Sequence, residues 1–158
     1  MELNNYECDG QLNIFDVIAD KKKELDRKYD IPRDYQKEEG WTDDWHYTEM
    51  EKPKEHGIYY CIAHLFNSEH YNYTYMAWAY GHWWAYAGYG TKWLLVRGEC
   101  REWMRPFAWV TVPDLYYRTD EHYHFLCENF VSKSDWEYEQ TLEKMREERR
   151  LEDGTTQS

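Results

Sequence analysis

The chain has 158 residues, 42% apolar, 32% charged and 19% aromatic, with a formal net charge of −12 at pH 7. That length fits one domain with one core, and with nine Trp and sixteen Tyr against few Leu, Ile and Val, the core must be aromatic. The acidic balance argues against simple electrostatic binding to DNA or RNA, where affinity comes largely from Lys and Arg neutralising phosphates.

Charge is unevenly spread. Residues 1–55 carry 9 basic and 16 acidic side chains, residues 56–112 carry 4 and 3, and residues 113–158 carry 6 and 12. Two acidic flanks therefore enclose a nearly neutral centre, a distribution that favours a basic partner or solubility. The opening residues lack the basic and apolar regions of a signal peptide, and no apolar run reaches a membrane span of about 18 residues. A cytoplasmic protein is expected. Cys8, Cys61, Cys100 and Cys127 form no close pair, so they read as free thiols.

In chain order, Leu12 to Tyr29 reads as an amphipathic helix (12–30) with Leu12, Phe15, Ile18, Ala19 and Leu25 on one face. It ends before Pro32, which disfavours a helical residue in front of it. Residues 31–55 read as an acidic linker anchored by Trp41 and Trp45. Residues 56–113 then change to strand character: Gly57–Phe66 and Tyr71–Tyr80 form one hairpin, and a type II′ turn at Gly81-His82 leads into Trp83–Ala87. That register sets Trp84 opposite Ala79, Trp78 opposite Ala85 and Tyr86 opposite Ala77, a large ring facing a small residue each time. Lys92–Val96 and Phe107–Val112 complete an antiparallel meander of four or five strands.

Residues 114–152 read as helical, with a short helix over 119–131. A second, highly charged helix is announced by a capping box at Ser134-Asp135-Trp136-Glu137 and carries a stripe of Tyr138, Leu142 and Met145. The tail 153–158 is expected to be disordered. The fold class predicted is α+β, a single domain over 1–158 with helices flanking the meander. An open outer strand would offer homodimerisation by edge pairing.

The stretch 41–113 resembles a family of small phage and prophage domains of unknown function. The shared features are Trp41 or Trp45, the Pro-x-x-x-Gly-x-Tyr start at Pro53-Lys54-Glu55-His56-Gly57-Ile58-Tyr59, the hairpin pair Trp83-Trp84, and Trp109-Val110-Thr111-Val112-Pro113. The family's usual Trp-x-Pro-Leu-Pro ending is absent. Gly10-Gln11-Leu12-Asn13-Ile14-Phe15-Asp16 is similar to an opening found in mobile-element proteins of low-GC Gram-positive bacteria. These resemblances imply an accessory protein of a phage or mobile element, a setting in which small acidic proteins often inhibit host defence systems, anti-CRISPR proteins among them.

Catalytic signals are thin. Gly88-Tyr89-Gly90-Thr91-Lys92 has the wrong spacing for a phosphate loop and reads as a glycine turn. His122, His124 and Cys127 would share a face on a strand, but on the helix favoured there the two histidines diverge by about 200°, and the absence of a close Cys pair argues against zinc. Cys61 reads as a buried hydrophobe. Cys100, beside Arg101, is the more reactive thiol, opposed by Glu99 and Glu102. No enzyme, cofactor or metal is expected.

Two functions remain. In the first, the protein binds and inhibits a host protein, a defence nuclease whose basic nucleic-acid-binding surface meets Asp34, Glu38, Glu39, Asp43, Asp44, Glu139, Glu143, Glu147 and Glu148 as phosphate mimics. These same residues equally suit a solvated surface. In the second, a small-ligand or carbohydrate-binding module uses an aromatic face of Tyr71, Tyr73 and Tyr75 with Trp83 or Trp84.

Overall fold

A computed structural model describes residues 2–31, 40–64, 71–87, 92–96 and 104–156. The chain divides into two compact units, residues 1–39 and 40–158. The first is the helix α1 (Glu2–Tyr29), which starts ten residues before the position read from periodicity. Its last turn carries Arg27 and Lys28, favourable at the negative end of the helix dipole. Phe15 and Ile18, expected to be buried, are 70% and 50% exposed, whereas Leu25 is buried.

The second unit is α+β. Six strands, β1 (His46–Tyr47), β2 (Gly57–His64), β3 (Tyr71–Ala79), β4 (His82–Ala87), β5 (Lys92–Leu95) and β6 (Pro106–Thr111), pair antiparallel in the order β1-β6-β2-β3-β4-β5. Only β2 to β5 form a meander. After β5 the chain returns to set β6 on the far side of β2, and β6 then pairs with β1, which lies inside the segment expected to be a linker. Trp41 and Trp45 do anchor that segment. The Trp41 indole N–H donates to the Tyr116 hydroxyl at 2.9 Å, and the Trp45 ring lies 6.2 Å from Tyr60 and 6.4 Å from Tyr73.

Alternation gives the sheet two packed faces. On one, Ile58, Ala77, Trp84, Trp93 and Leu95 pack with Leu126 and Val131, and partly buried Tyr123, Phe130 and Trp136 close over them. These covering residues belong to or adjoin α3 (Glu121–Glu128) and α4 (Lys133–Thr156), which follow the single turn α2 (Tyr116–Thr119). On the other face lie Cys61, Met76, Trp78, Trp83, Val96 and Trp109.

The β3–β4 turn differs from expectation. Its central residues are Tyr80 and Gly81, at φ 54° and 74°, a pattern of two positive φ values that defines type I′. Ala79 pairs with His82, Trp78 with Trp83 and Ala77 with Trp84, two residues out of the predicted register. An even slip leaves every side chain on its predicted face but changes its partner. Trp84 still meets an alanine, whereas Trp78 meets Trp83 edge-on with centroids 5.1 Å apart. A tyrosine with positive φ is strained. Its ring stacks on Trp136 at 5.5 Å with planes 6° apart, which holds the turn in place.

The cap of α4 sits two residues earlier than predicted. The Ser132 hydroxyl accepts the Asp135 N–H, while the Asp135 carboxylate accepts both the N–H and the hydroxyl of Ser132. Helix α4 also runs through Thr156, into the expected tail, and its predicted apolar stripe is split, with Leu142 partly buried and Tyr138 and Met145 about half exposed.

Candidate functional site

Of the acidic residues proposed as phosphate mimics, Glu139 and Asp43 are taken up within the fold. Asp34, Glu38 and Glu39 lie outside the described residues. Glu139 is a correction: it is only 2% exposed, and its Oε1 accepts the Leu95 backbone N–H at 3.3 Å. Leu95 belongs to the outer strand β5, so this carboxylate satisfies part of an edge that would otherwise attract another strand. Glu143 lies 4.0 Å from Arg146. Glu147, Glu148 and Asp44 are exposed, but Lys144, Arg146, Arg149 and Arg150 interleave with the acids of α4.

Asp43 is occupied too. Its Oδ2 accepts the Thr111 N–H at 3.1 Å, and both its oxygens lie within 3.0 Å of His46 Nε2. His46 Nδ1 lies 2.5 Å from Glu51 Oε1, and the imidazole stacks on Trp109 at 4.3 Å. Burial alone would lower the His46 pKa, but its hydrogen bonds to the Glu51 and Asp43 carboxylates overcome it and the net shift is upward. Burial likewise works to raise Asp43, and the Thr111 and His46 bonds bring the net shift downward. Each ring nitrogen is held by a carboxylate, so the imidazole braces the strand β1. Among the described residues no three His, Cys, Asp or Glu side chains form a metal site. His122 and His124 fall on α3, where His124 Nδ1 lies 2.8 Å from the Tyr117 carbonyl. The fully buried Cys61 thiol is pushed well above its usual pKa by desolvation, which makes it inert. Cys100 and Gly88 to Thr91 lie outside the described residues.

The aromatic candidates separate as well. Trp84 has no exposed surface and donates its indole N–H to the Ala79 carbonyl at 2.8 Å; Trp83 is buried on the opposite face. Neither belongs to an open platform. The side chain of Tyr71 lies outside the described residues. Tyr73 lies 6.3 Å from Tyr60, nearly parallel to it. Tyr75 sits 5.3 Å from Tyr123 beneath α3, and its hydroxyl donates to Asp120 Oδ2 at 2.9 Å. Asp120 also accepts the Tyr123 N–H as the cap of α3, so one carboxylate ties β3 to that helix. Burial, then the bond to Asp120, pushes the Tyr75 pKa far up and keeps the phenol neutral.

What the structure assembles instead is a gap within the sheet. The β3–β4 ladder runs from Ala79–His82 to Ala77–Trp84 and stops, although both strands continue. Beyond it β3 stays paired to β2 and β4 to β5, so the two strands part like the arms of a V. A cavity of about 310 Å³ occupies the opening. Tyr75, Tyr86 and His122 line it on the helical side, Met76, Ala85, Leu94 and Met104 on the other, and Asn72, Thr74 and Ala87 along the arms. Among the described residues, no carboxylate, Lys or Arg lines it. The volume falls at the lower end of small-molecule sites, and the lining is the usual mixture of apolar walls and a few polar groups.

Of these residues the sequence reading named Tyr75 as a face residue and His122 as a metal candidate, and it missed the rest. The available signal was the small-residue run Ala85-Tyr86-Ala87-Gly88 beyond the hairpin, together with polar Asn72 and Thr74 in an otherwise aromatic strand. No family model matches the chain, and no curated protein or solved structure matches it.

Proposed function

We propose that the protein acts by binding, not by catalysis, and that the gap between β3 and β4 receives an uncharged ligand. The observation that carries this reading is the early end of the β3–β4 ladder over a cavity of about 310 Å³ whose described lining residues include no carboxylate, Lys or Arg. The titratable side chains among its described lining residues are Tyr75, Tyr86 and His122, and Tyr75 is held neutral, a set suited to hydrogen bonding and ring contact. The sequence-derived setting, an accessory protein acting on a host protein, fits a partner that presents a neutral segment to this opening. The phosphate-mimic version has less support, since Glu139 and Asp43 are used internally and basic residues interrupt the exposed acids of α4.

The test is a protein-observed NMR screen of neutral sugars, nucleosides and blocked peptides, repeated on Ala85→Leu and Ala87→Leu, which fill the cavity from its walls. Binders should shift the Tyr75, Tyr86 and His122 amides and be lost in whichever filled variant retains the wild-type fold by circular dichroism. Shifts confined to Asp44, Glu147 and Glu148 on adding a basic peptide would overturn this reading in favour of the acidic surface.

A further inference from the structure

The opening exposes main chain as well as side chains, and main chain selects a particular ligand. In a two-residue hairpin the residues flanking the turn, Ala79 and His82, form a hydrogen-bonded pair, and hydrogen-bonded pairs then recur at every second position. Ala77–Trp84 is the next such pair. Tyr75 and Tyr86 would be the one after, but the ladder has already ended. The other side of β4 agrees with this phase, because the Trp83 carbonyl points away from β3 and accepts the Val96 N–H at 2.9 Å. By the same alternation the N–H and C=O of Tyr75 and of Tyr86 point into the gap from its two arms. Among the described residues, the Tyr75 carbonyl accepts from the Thr74 hydroxyl, at the long distance of 3.5 Å.

Main-chain N–H and C=O groups that point into an opening instead of across a ladder are free to bond a ligand, and a ligand that bonds both arms completes the sheet there. In an extended chain, consecutive residues direct their N–H and C=O pairs to opposite sides. One residue of an inserted segment can therefore bond Tyr75 while the next bonds Tyr86. Along β3 the opening runs from Met76 to Asn72, roughly 13 Å at about 3.3 Å per residue, the length of three or four residues. Side chains of such a segment would alternate between Tyr75, Tyr86 and His122 on one face and Met76, Leu94 and Met104 on the other.

We infer that the ligand of this site is an extended, uncharged peptide segment, inserted between β3 and β4 and held by main-chain bonds to Tyr75 and Tyr86. The inference rests on the binding function proposed above. Recognition of this kind places affinity in the backbone and specificity in alternate side chains.

The experiment uses the full-length protein with blocked tetrapeptides of alternating alanine and leucine, and with depsipeptides in which an ester replaces one central amide. The ester keeps the shape but loses one N–H donor and weakens the carbonyl acceptor. The peptides should shift the Tyr75 and Tyr86 amides, and the ester should bind about tenfold more weakly, as expected from losing roughly 1 kcal/mol of hydrogen bonding. Equal binding of amide and ester, or cavity binding by sugars or nucleosides with none by the peptides, would overturn the peptide assignment and leave the binding function standing. No response at the cavity to any probe would overturn both.

Discussion

Glu139 reaches from α4 to the outer strand β5, where its Oε1 accepts the Leu95 N–H at 3.3 Å in a position only 2% exposed. A carboxylate that reads as surface charge in the sequence is thus part of the sheet. Replacing Glu139 with alanine should leave a buried N–H without this acceptor and lower stability by about 1–3 kcal/mol. Urea denaturation measures this. Glu147→Gln and Glu148→Gln, on exposed turns of the same helix, should each change stability by less than about 0.5 kcal/mol. The Glu139→Ala protein should also associate at high concentration through the uncovered β5 edge, which light scattering detects. Equal effects at all three positions would place Glu139 on the surface.

The β3–β4 turn supplies a second prediction. Tyr80 combines an unfavourable φ of 54° with a ring stacked on Trp136. Tyr80→Ala removes the stack, worth about 0.5–1.5 kcal/mol, and keeps the strain. Tyr80→Gly removes both, so it should be more stable than Tyr80→Ala. The order of the two midpoints in thermal denaturation checks this, and the reverse order would refute the left-handed conformation at Tyr80.

The brace around His46 predicts a pH dependence with a definite sign. The His46 pKa is raised above its usual 6.5, so the stability it contributes is fully present below that value and is lost as pH climbs through the folded one. Asp43 is lowered below its usual 3.8, so its contribution is present above that value and is lost as pH falls through the folded one. Both are present together from just above 3.8 to 6.5. Wild-type protein should therefore lose stability relative to His46→Gln as pH rises from 6 towards 8. A difference between the two proteins that stays constant over this interval would show that His46 is not held as the imidazolium.

The sequence carried much of this fold because its aromatic centre alternates with period two, and period two survives an even register slip. The predicted pairs of Trp84, Trp78 and Tyr86 therefore kept their relative faces and lost their partners. The turn was misplaced because glycine at position 81 suits either turn type, while the tyrosine beside it is held in an unusual conformation by Trp136, 56 residues away. Strand β1 has only two residues, His46 and Tyr47, too few for any alternation to register; pairing with β6 and the His46 brace define it. Glu139 could not be separated from neighbouring glutamates, because whether an acid on a charged helix is solvated depends on what the helix packs against. The cavity was hidden for a related reason. It arises where two strands with ordinary strand sequences stop pairing, and only the small residues Ala85 and Ala87 mark the place.

The account depends most on the sheet being open beyond Ala77 and Trp84, and amide hydrogen exchange in the free protein tests this directly. The Ala77 and Trp84 amides, in the last rung of the ladder, should be strongly protected, whereas those of Tyr75 and Tyr86, two residues further along each arm, should exchange much faster despite their half-buried side chains. Protection at Tyr75 and Tyr86 equal to that at Ala77 and Trp84 would mean that β3 and β4 remain paired in solution, which would remove the cavity and the binding site with it.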